Sequence, residues 1–389
     1  MQMARSQTKV SKPNPATLDA DPLAWLRLIR SRRVGPVTFH RLVADHGGVE
    51  GALAALPGIA QVAGVQEYSI CPLEVVRAEM AQARLAGAQM LLWGQAGYPL
   101  ALMDLPDAPP VLWAQGDIGL LARPMVALVG ARNASSLGLR MTRRLVEGLA
   151  QAGQVVVSGL ARGIDAEAHQ AALDSGTVAV QAGGVDVIYP VENTELAAAI
   201  AAHGCRVSEQ PMGLVPQARH FPQRNRIVSG LARAVVVVEA AARSGSLITA
   251  KNALDQGREV LAVPGHPFDA RAAGCNILLR DGAVLVRSAQ DVLEAIGVQG
   301  HFIAQTPLPV EAVAVPEPLP GPVPQRRALT DISAVHSQIL ARLGPSPLAE
   351  DQLIRDLALP PGMLSPALIS LELEGRILRQ SGGLLSLVE

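Results

Sequence analysis

The spacing of apolar positions divides the chain into three parts. Over residues 21–116 the spacing is helical, as in Leu23, Trp25, Leu26 and Ile29, and predicts a small helical domain. Over residues 117–298, short β-branched runs alternate with helical stretches. Nearly continuous apolar strands separated by helices predict a parallel sheet with helices on both faces. We therefore expect a doubly wound α/β domain in the middle of the chain.

The individual elements of this middle domain can be placed from the same pattern. The predicted strands are residues 126–129, 154–157, 178–180, 205–207, 234–238, 259–263 and 281–286. Helices are expected to begin near Ser135, Ile164, Asn193, Gln223 and Ser246, and a closing helix is expected over residues 289–296.

Three further segments lie outside these two domains. Residues 1–20 are polar and predict a disordered tail, and residues 299–328 contain seven prolines and predict a semi-extended linker. Beyond the linker, residues 331–343, 350–357 and 366–373 have helical spacing. A hairpin is expected to follow, turning at Gly382-Gly383. Three helices and a hairpin predict a winged-helix domain over residues 329–389.

Composition excludes some classes of protein but does not identify the function. The 33 basic and 34 acidic residues leave a net charge of −1, so any basic surface has to be local. No apolar run approaches the about 20 residues of a membrane span, and no signal peptide is recognisable. The three cysteines are far apart, which argues against disulfides or structural zinc and for a cytoplasmic protein.

The candidate chemistry follows the strands, because ligands of open α/β sheets bind beyond the carboxyl ends of the strands. Three of the segments that follow the strands, residues 130–136, 158–165 and 239–246, share one composition. Each combines glycine or serine with an arginine (Arg132, Arg162 and Arg243) just before a predicted helix. Free N–H groups at a helix start, with arginines beside them, favour phosphate.

Known phosphate and metal signatures are missing from these loops. There is no GxxxxGK[ST], and no GxGxxG follows the first strand, which excludes a P-loop enzyme and weighs against a dinucleotide enzyme. We expect no cofactor and no metal. Asp165 and His169, four residues apart on one helix, could act with Ser158 in catalysis, or Asp165 could start the helix while His169 packs locally.

A basic stretch offers the most specific signal. Between Glu209 and Glu239 there is no acidic residue, whereas Arg219, Arg224, Arg226 and Arg233 all fall there. Phe221 lies within it, and the α/β domain has only two other aromatic residues, Tyr189 and Phe268. A ring among arginines suits single-stranded nucleic acid, because bases stack on it while guanidinium groups hold phosphates.

Taken in order, several motifs resemble those of the DNA-processing protein A family, also called DprA or Smf. The matching segments are residues 98–99, 109–112, 130–132, 158–165, 168–169, 189–190, 192–193, 208–209, 220–226, 239–240, 243–250, 263–265, 274–276 and 281–283. The resemblance implies an extended Rossmann-like domain, preceded by a SAM-like helical domain, that binds single-stranded DNA without sequence preference. It also implies a homodimeric recombination mediator that protects incoming DNA, displaces single-strand-binding protein and helps load RecA during natural transformation.

The resemblance also assigns binding residues, position by position. Implied to contact DNA are Gly130, Arg132, Ser158, Gly159, Ala161, Arg162, Gly163, Arg219, Phe221, Arg224, Asn225, Arg226, Arg243, Ser244, Gly245 and Ser246. No catalytic residue is implied. Two departures from the family pattern are Ala131, where serine is frequent, and residues 182–184, where Gly-x-Gly is common.

Two other functions stay open at this point. One is an enzyme on a nucleotide, such as a nucleoside-monophosphate hydrolase with Asp165 or Glu239 as acid or base; the other is a structural adaptor for RecA-type partners. The winged helix is expected to contact protein rather than DNA. Its candidate recognition helix, residues 363–375, carries Glu372 and Glu374 and no basic residue.

Overall fold

A computed structural model describes residues 21–298, 329–343, 347–357, 359–380 and 384–387. The predicted N-terminal tail, the proline-rich linker and the Gly382-Gly383 turn lie outside these described residues.

Four helices form the N-terminal part, as the apolar spacing predicts. They are α1 (Pro22–Arg30), α2 (Pro36–Asp45), α3 (Val49–Val62) and α4 (Leu73–Leu85). The Asp21 carboxylate accepts the Leu23 N–H at 3.1 Å and caps α1, while Pro22 occupies the first helical position, where its missing N–H costs nothing. The Trp25 and Phe39 rings pack 5.1 Å apart in the core of this domain.

The predicted helical domain ends earlier than Gly116. Two strands lie within the range predicted as helical, β1 (Gln89–Leu92) and β2 (Val111–Gly116), and they pair with each other. Strand β2 also pairs antiparallel with the middle-domain strand Cys205–Ser208. The boundary expected at residue 116 therefore cuts through the sheet. These strands are four and six residues long, and an apolar run of that length has no periodicity that separates strand from helix.

The middle domain is built on one nine-stranded sheet. Its remaining strands are β3 (Met125–Val129), β4 (Val155–Ser158), β5 (Thr177–Val180), β6 (Cys205–Ser208), β7 (Ala234–Val237), β8 (Glu259–Ala262) and β9 (Val284–Leu285). The strand order is β1-β2-β6-β5-β4-β3-β7-β8-β9, and every pair from β6 to β9 is parallel. The order reverses between β3 and β7, so the crevice that such folds use for ligands opens beyond these two strands.

Helices cover both faces of this sheet. They are α5 (Leu100–Met103), α6 (Ser136–Gln151), α7 (Ile164–Ala171), α8 (Thr194–His203), α9 (His220–Leu231), α10 (Ser246–Asp255), α11 (Ala273–Arg280) and α12 (Ala289–Ala295). Along β3, Ala127 and Val129 belong to one apolar core, whereas Val126 and Leu128 belong to another. This alternation confirms the doubly wound α/β architecture.

The C-terminal part is a winged helix, as predicted. It comprises α13 (Leu329–Arg342), β10 (Leu348–Ala349), α14 (Glu350–Leu357), α15 (Pro361–Leu373), β11 (Ile377–Gln380) and β12 (Leu384–Leu387). The short strand β10, which the sequence pattern does not predict, joins the hairpin in the order β10-β12-β11. Within the described ranges, no helix is long and apolar enough to cross a membrane.

Candidate nucleic-acid interface

Three loops meet at one edge of the sheet because β4, β3 and β7 are parallel neighbours. The loops that follow these strands, together with the first turns of α9 and α10, enclose an open cleft of about 490 Å³, here called the Arg132 cleft. Predicted site residues that line it are Gly130, Arg132, Gly159, Ala161, Phe221, Arg224, Asn225, Arg243, Ser244, Gly245 and Ser246.

An aromatic pair lies at the centre of this region. The Arg132 guanidinium carbon lies 5.5 Å from the centroid of the Phe221 ring, within range of a cation–π interaction. The centroid of the Tyr189 ring also lies close to that of Phe221, at 5.6 Å. Tyr189 is 48% exposed, so its ring is free to contact a ligand. The site therefore combines flat apolar surfaces with a positive charge.

The loop before α10 supplies a second positive charge. Arg243 is exposed and makes no ion pair with the described residues. The Ser244 and Ser246 hydroxyls lie 2.6 Å apart, and the Asn225 side-chain amide donates to the Gly245 carbonyl at 3.3 Å. These contacts fix the loop against α9 and leave the Arg243 side chain unpaired at the rim.

The loop after β4 is held in a conformation that few sequences adopt. Gly163 has φ +76°, and a Cβ there would lie 2.2 Å from the Ala131 carbonyl oxygen. A Cβ on Gly159 would lie 1.9 Å from the Arg224 Nη1. These glycines let the 159–163 loop approach both the 130–132 loop and the Arg224 guanidinium. Arg162, further out, is exposed and lies 3.8 Å from the equally exposed Glu192.

Arg224 forms the floor of the Arg132 cleft rather than its rim. Its residue is 6% exposed, and its Nη1 donates to the Val180 carbonyl at 2.7 Å. Its Nε is buried and has no partner within the described chain. Burial lowers the pKa of Arg224 to about 10, and the nearby Asp165 carboxylate opposes that shift. The arginine therefore stays protonated at neutral pH and places a buried positive charge beneath the cleft.

Asp165 is the counter-charge and a structural anchor. Its carboxylate accepts the Gly159 N–H at 3.2 Å. Burial raises the pKa of Asp165, while the Arg224 guanidinium and the loop N–H groups pull it back down. A carboxylate that accepts backbone N–H bonds beside a buried arginine orders the loop.

His169 completes this support and has no free nitrogen for catalysis. The Leu160 N–H donates to the His169 Nε2 at 3.3 Å, so the opposite nitrogen, Nδ1, carries the proton and donates to the Thr177 hydroxyl at 2.7 Å. Burial lowers the pKa of His169 to about 3, which keeps the ring neutral. Leu160 has φ +55°, and its carbonyl accepts the Asn193 side-chain amide at 2.9 Å. The local-packing interpretation of His169 is the one the structure supports.

Glu239, the other candidate acid or base, is likewise engaged in hydrogen bonds that hold a loop. Its carboxylate accepts the Ser135 N–H at 2.9 Å and the Ser135 hydroxyl hydrogen. Burial raises the pKa of Glu239, and these two hydrogen bonds lower it. The contact joins the loop after β3 to the end of β7, so Glu239 positions the Arg132 loop.

Five predicted site residues do not line the cleft: Arg162 and Gly163, which lie in the loop after β4 described above, and Ser158, Arg226 and Arg219. The Ser158 hydroxyl is buried at the end of β4 and donates to the Leu128 carbonyl at 2.6 Å. Arg226 lies on the opposite face of α9, where its Nε is 3.0 Å from Asp107 and its Nη2 is 2.7 Å from Glu209. Arg219 precedes α9 and contacts the His220 ring at 3.3 Å, without lining the cleft.

Two residues at this edge of the sheet are missing from the predicted site residues. Tyr189 lies outside the basic stretch and lines a smaller pocket that shares Arg132 and Phe221 with the Arg132 cleft. The scarcity of aromatic residues in this domain was a usable signal. Arg271 lines the Arg132 cleft, and its guanidinium donates to the Ala341 and Leu343 carbonyls, both at 2.8 Å, at the end of α13. The pattern of residues along the chain cannot predict this contact, because Arg271 and Ala341 are 70 residues apart. The winged helix is thus docked beside the cleft, and its Arg342 donates to the Ala134 carbonyl at 2.8 Å.

The structure offers no metal centre in the portion it describes: no group of three or more His, Cys, Asp or Glu side chains there could hold an ion. Fold and site together define a Rossmann-type protein with a basic, aromatic cleft at its topological switch point, set between a helical and a winged-helix domain.

Family models match each of the three parts of the chain. The family model for DNA recombination-mediator protein A matches residues 89–297. Models for the DprA-like N-terminal HHH domain and the DprA winged helix domain match residues 19–82 and 323–383. The chain belongs to the DNA processing protein A (DprA/Smf) family, which confirms the resemblance seen in the sequence.

Individual relatives cover most or part of the chain. Protein Smf of Synechocystis is 33% identical over 92% of this chain and 96% of its own length. DNA processing protein DprA of Streptococcus pneumoniae is 46% identical over 50% of this chain, and its X-ray structure matches with a TM-score of 0.51 over 53% of this chain and 73% of that one. DNA processing protein A of Helicobacter pylori, solved to describe its single-stranded DNA binding mode, is 30% identical, with a TM-score of 0.50 over 54% of this chain and 95% of that one.

Proposed function

We propose that this protein binds single-stranded DNA in the Arg132 cleft without sequence preference. The observation that carries the proposal is the grouping of Phe221 and Tyr189 with Arg132 and Arg243 at one sheet edge. The Helicobacter relative, described by its single-stranded DNA binding mode, adds support from the family.

The chemistry of the cleft suits unpaired bases. A ring that is open to solvent stacks on any base, which contributes about 1–3 kcal/mol per base without selecting a sequence. Arg132 and Arg243 have no acidic partner within the described residues, so each is available to a phosphate. Paired bases would be shielded from Phe221 and Tyr189, and single strands should therefore bind more tightly than duplex.

The engaged carboxylates support a binding function over a hydrolytic one. Asp165 accepts a loop N–H beside Arg224, and Glu239 accepts two hydrogen bonds from Ser135. A general acid or base has to reach the substrate with a free oxygen or nitrogen. Both carboxylates instead hold the loops that shape the cleft.

The test compares single-stranded and duplex oligonucleotides in a gel-shift or anisotropy titration across ionic strength. We expect single strands to bind more tightly, with affinity that falls steeply as salt rises because phosphate contacts release counterions. Arg132→Ala should weaken binding to every base sequence alike. Equal binding of both substrates, or an unchanged affinity of Arg132→Ala, would contradict the proposal.

We propose in addition that the bound strand is protected and passed to RecA during natural transformation, with displacement of single-strand-binding protein and with a homodimer as the active form. Family membership supports this part. Assembly of RecA filaments on strands precoated with single-strand-binding protein should accelerate when the protein is added, and Arg132→Ala should lose that effect. An unchanged assembly rate with wild-type protein would remove the mediator role while leaving DNA binding intact.

A further inference from the structure

A second cleft lies one strand further along the same sheet edge. The Arg132 cleft uses the ends of β4, β3 and β7, whereas this one, here called the Arg140 cleft, lies beyond β3, β7 and β8. Its volume is about 690 Å³, and it is bounded by the first turns of α6 and by the 263–269 loop. The Ser135–Glu239 hydrogen bonds lie at its inner wall. Neighbouring strands are about 5 Å apart, so the two clefts are adjacent.

The α6 side of the Arg140 cleft carries positive charge. Arg140 and Arg144 both line it and are both exposed, and their spacing of four residues places them on one face of the helix. Neither makes an ion pair or a side-chain hydrogen bond with any residue that the structure describes. Arg143, between them, faces elsewhere and is paired with Glu167.

An exposed aromatic ring lies next to the opposite wall of the cleft, beside the lining residues His266 and Asp269. Phe268 is 74% exposed, and its ring centroid lies 5.5 Å from that of His266, which lines the cleft. Because its ring is exposed, Phe268 contributes little buried apolar surface to the core. The three aromatic residues between positions 117 and 298, Tyr189, Phe221 and Phe268, thus all lie along the ligand edge of the sheet.

The loop that presents Phe268 is fixed at both ends. The Asn276 side chain exchanges two hydrogen bonds with the backbone of Gly265, at 3.1 and 3.3 Å. Asp269 is paired with Arg271 at 3.1 Å, and Arg271 is held in turn by the end of α13. A rigid loop presents the Phe268 ring at little further entropic cost when a ligand binds.

The acidic groups of the Arg140 cleft are already engaged by other groups of the protein. Asp269 is paired with Arg271, and the Glu239 carboxylate accepts the two hydrogen bonds from Ser135. Arg140 and Arg144 are therefore the unpaired charges, and the Arg140 cleft favours an anion that also offers a flat ring.

We propose that the Arg140 cleft is a second nucleotide subsite, which takes the continuation of a single strand bound in the Arg132 cleft. In it, a base stacks on Phe268 and the flanking phosphates contact Arg140 and Arg144. This inference rests on the proposed function of the Arg132 cleft. The end of α13 lies on the ridge between the clefts, through Arg271 and Arg342, so the connecting nucleotides run past that helix end.

The test measures the affinity of full-length variants for oligothymidylates of about 4 and about 16 nucleotides, a range that spans one to several subsites. Phe268→Ala and the double variant Arg140→Ala/Arg144→Ala should each bind the long strand about tenfold more weakly than wild type and leave the short strand unchanged. Arg77→Ala/Arg84→Ala removes two exposed arginines of α4 that form no ion pair with a described residue; this charge-matched control should bind like wild type.

A fluorescent variant reports occupancy directly. The native tryptophans Trp25, Trp93 and Trp113 are all buried, so F268W adds an exposed reporter. Its emission should change with the long strand and not with thymidine monophosphate at the same nucleotide concentration. A response to the free nucleotide alone would assign the cleft to a small ligand and overturn the proposal.

The outcomes separate this inference from the proposed function. Weaker long-strand binding by Arg132→Ala, together with wild-type binding by Phe268→Ala and by the Arg140/Arg144 double variant, would overturn the second subsite alone. Absence of binding to either strand by wild-type protein would overturn both.

Discussion

Phe221 offers the sharpest test of the Arg132 cleft. Truncation by Phe221→Ala removes the ring that packs against both Arg132 and Tyr189. The loss of one base-stacking surface is worth about 1–3 kcal/mol, and the cation–π contact that orients Arg132 adds about 0.5–1 kcal/mol. Together these losses amount to about 1.5–4 kcal/mol, so we expect single-strand affinity to fall by between about tenfold and nearly a thousandfold.

The fold should survive this change because Phe221 is only half-buried. Full removal of a buried phenylalanine costs about 3–5 kcal/mol, and the partly exposed ring should cost no more than about half of that. Anisotropy of a labelled oligothymidylate measures the affinity, and thermal unfolding checks the fold. Phe221→Tyr keeps the ring and is the matched control. A Phe221→Ala variant that folds and binds within about twofold of wild type would refute stacking in this cleft.

Four further predictions follow from the placement of individual groups. Arg243→Ala should weaken binding for all base sequences and reduce the salt slope by about one, with unchanged thermal stability; a sequence-dependent effect would contradict it. Arg226→Ala should show the converse, a loss of about 3 kcal/mol in unfolding free energy because Asp107 and Glu209 lose their partner, and unchanged affinity in the folded variant. His169 is neutral in the fold down to pH about 3, whereas it protonates near pH 6.5 when unfolded. Stability should therefore fall by about 1.4 kcal/mol per pH unit from pH 6.5 towards 3, beyond what His169→Asn shows in denaturant titrations. Deletion of residues 300–389 should change single-strand affinity by no more than about threefold, and a tenfold loss would make the winged helix part of the binding site.

Much of the candidate site could be predicted from the sequence because the loops that follow neighbouring parallel strands lie at the same edge of a sheet. Once β3, β4 and β7 are recognised as parallel strands, the loops that follow them have to meet at one edge, whatever their separation along the chain. Arg132, Arg162 and Arg243 could therefore be grouped before any coordinates, and so could Phe221, which follows in the basic stretch. The sheet places all but Arg162 in the Arg132 cleft itself.

The errors have equally simple physical causes. Residues on an α-helix turn by about 100° each, so Phe221, Arg224, Asn225 and Val228 share one face of α9 and Arg226 cannot join them. Ser158 is the last residue of a central strand, and its hydroxyl had to find a buried carbonyl. The sequence already showed that Arg226 falls on another face of the helix and that Ser158 ends a strand. The prediction missed this because it assigned the 220–226 and 158–165 motifs to the site as whole segments.

The support beneath the cleft explains how a basic rim can remain open. Arg226 and Arg224 belong to the same basic stretch, yet one is neutralised by Glu209 and Asp107 and the other has Asp165 nearby. The structural arginines receive the acidic partners, while Arg132 and Arg243 at the rim receive none among the residues described. A chain of net charge −1 can therefore present a cationic edge, because the carboxylates beneath that edge pair with the structural arginines or hold loops and do not face the rim. Placing an acidic side chain at the rim, as in Ser244→Glu, should close that edge to single strands, and stability should fall by no more than the loss of the Ser244–Ser246 hydrogen bond, about 1 kcal/mol.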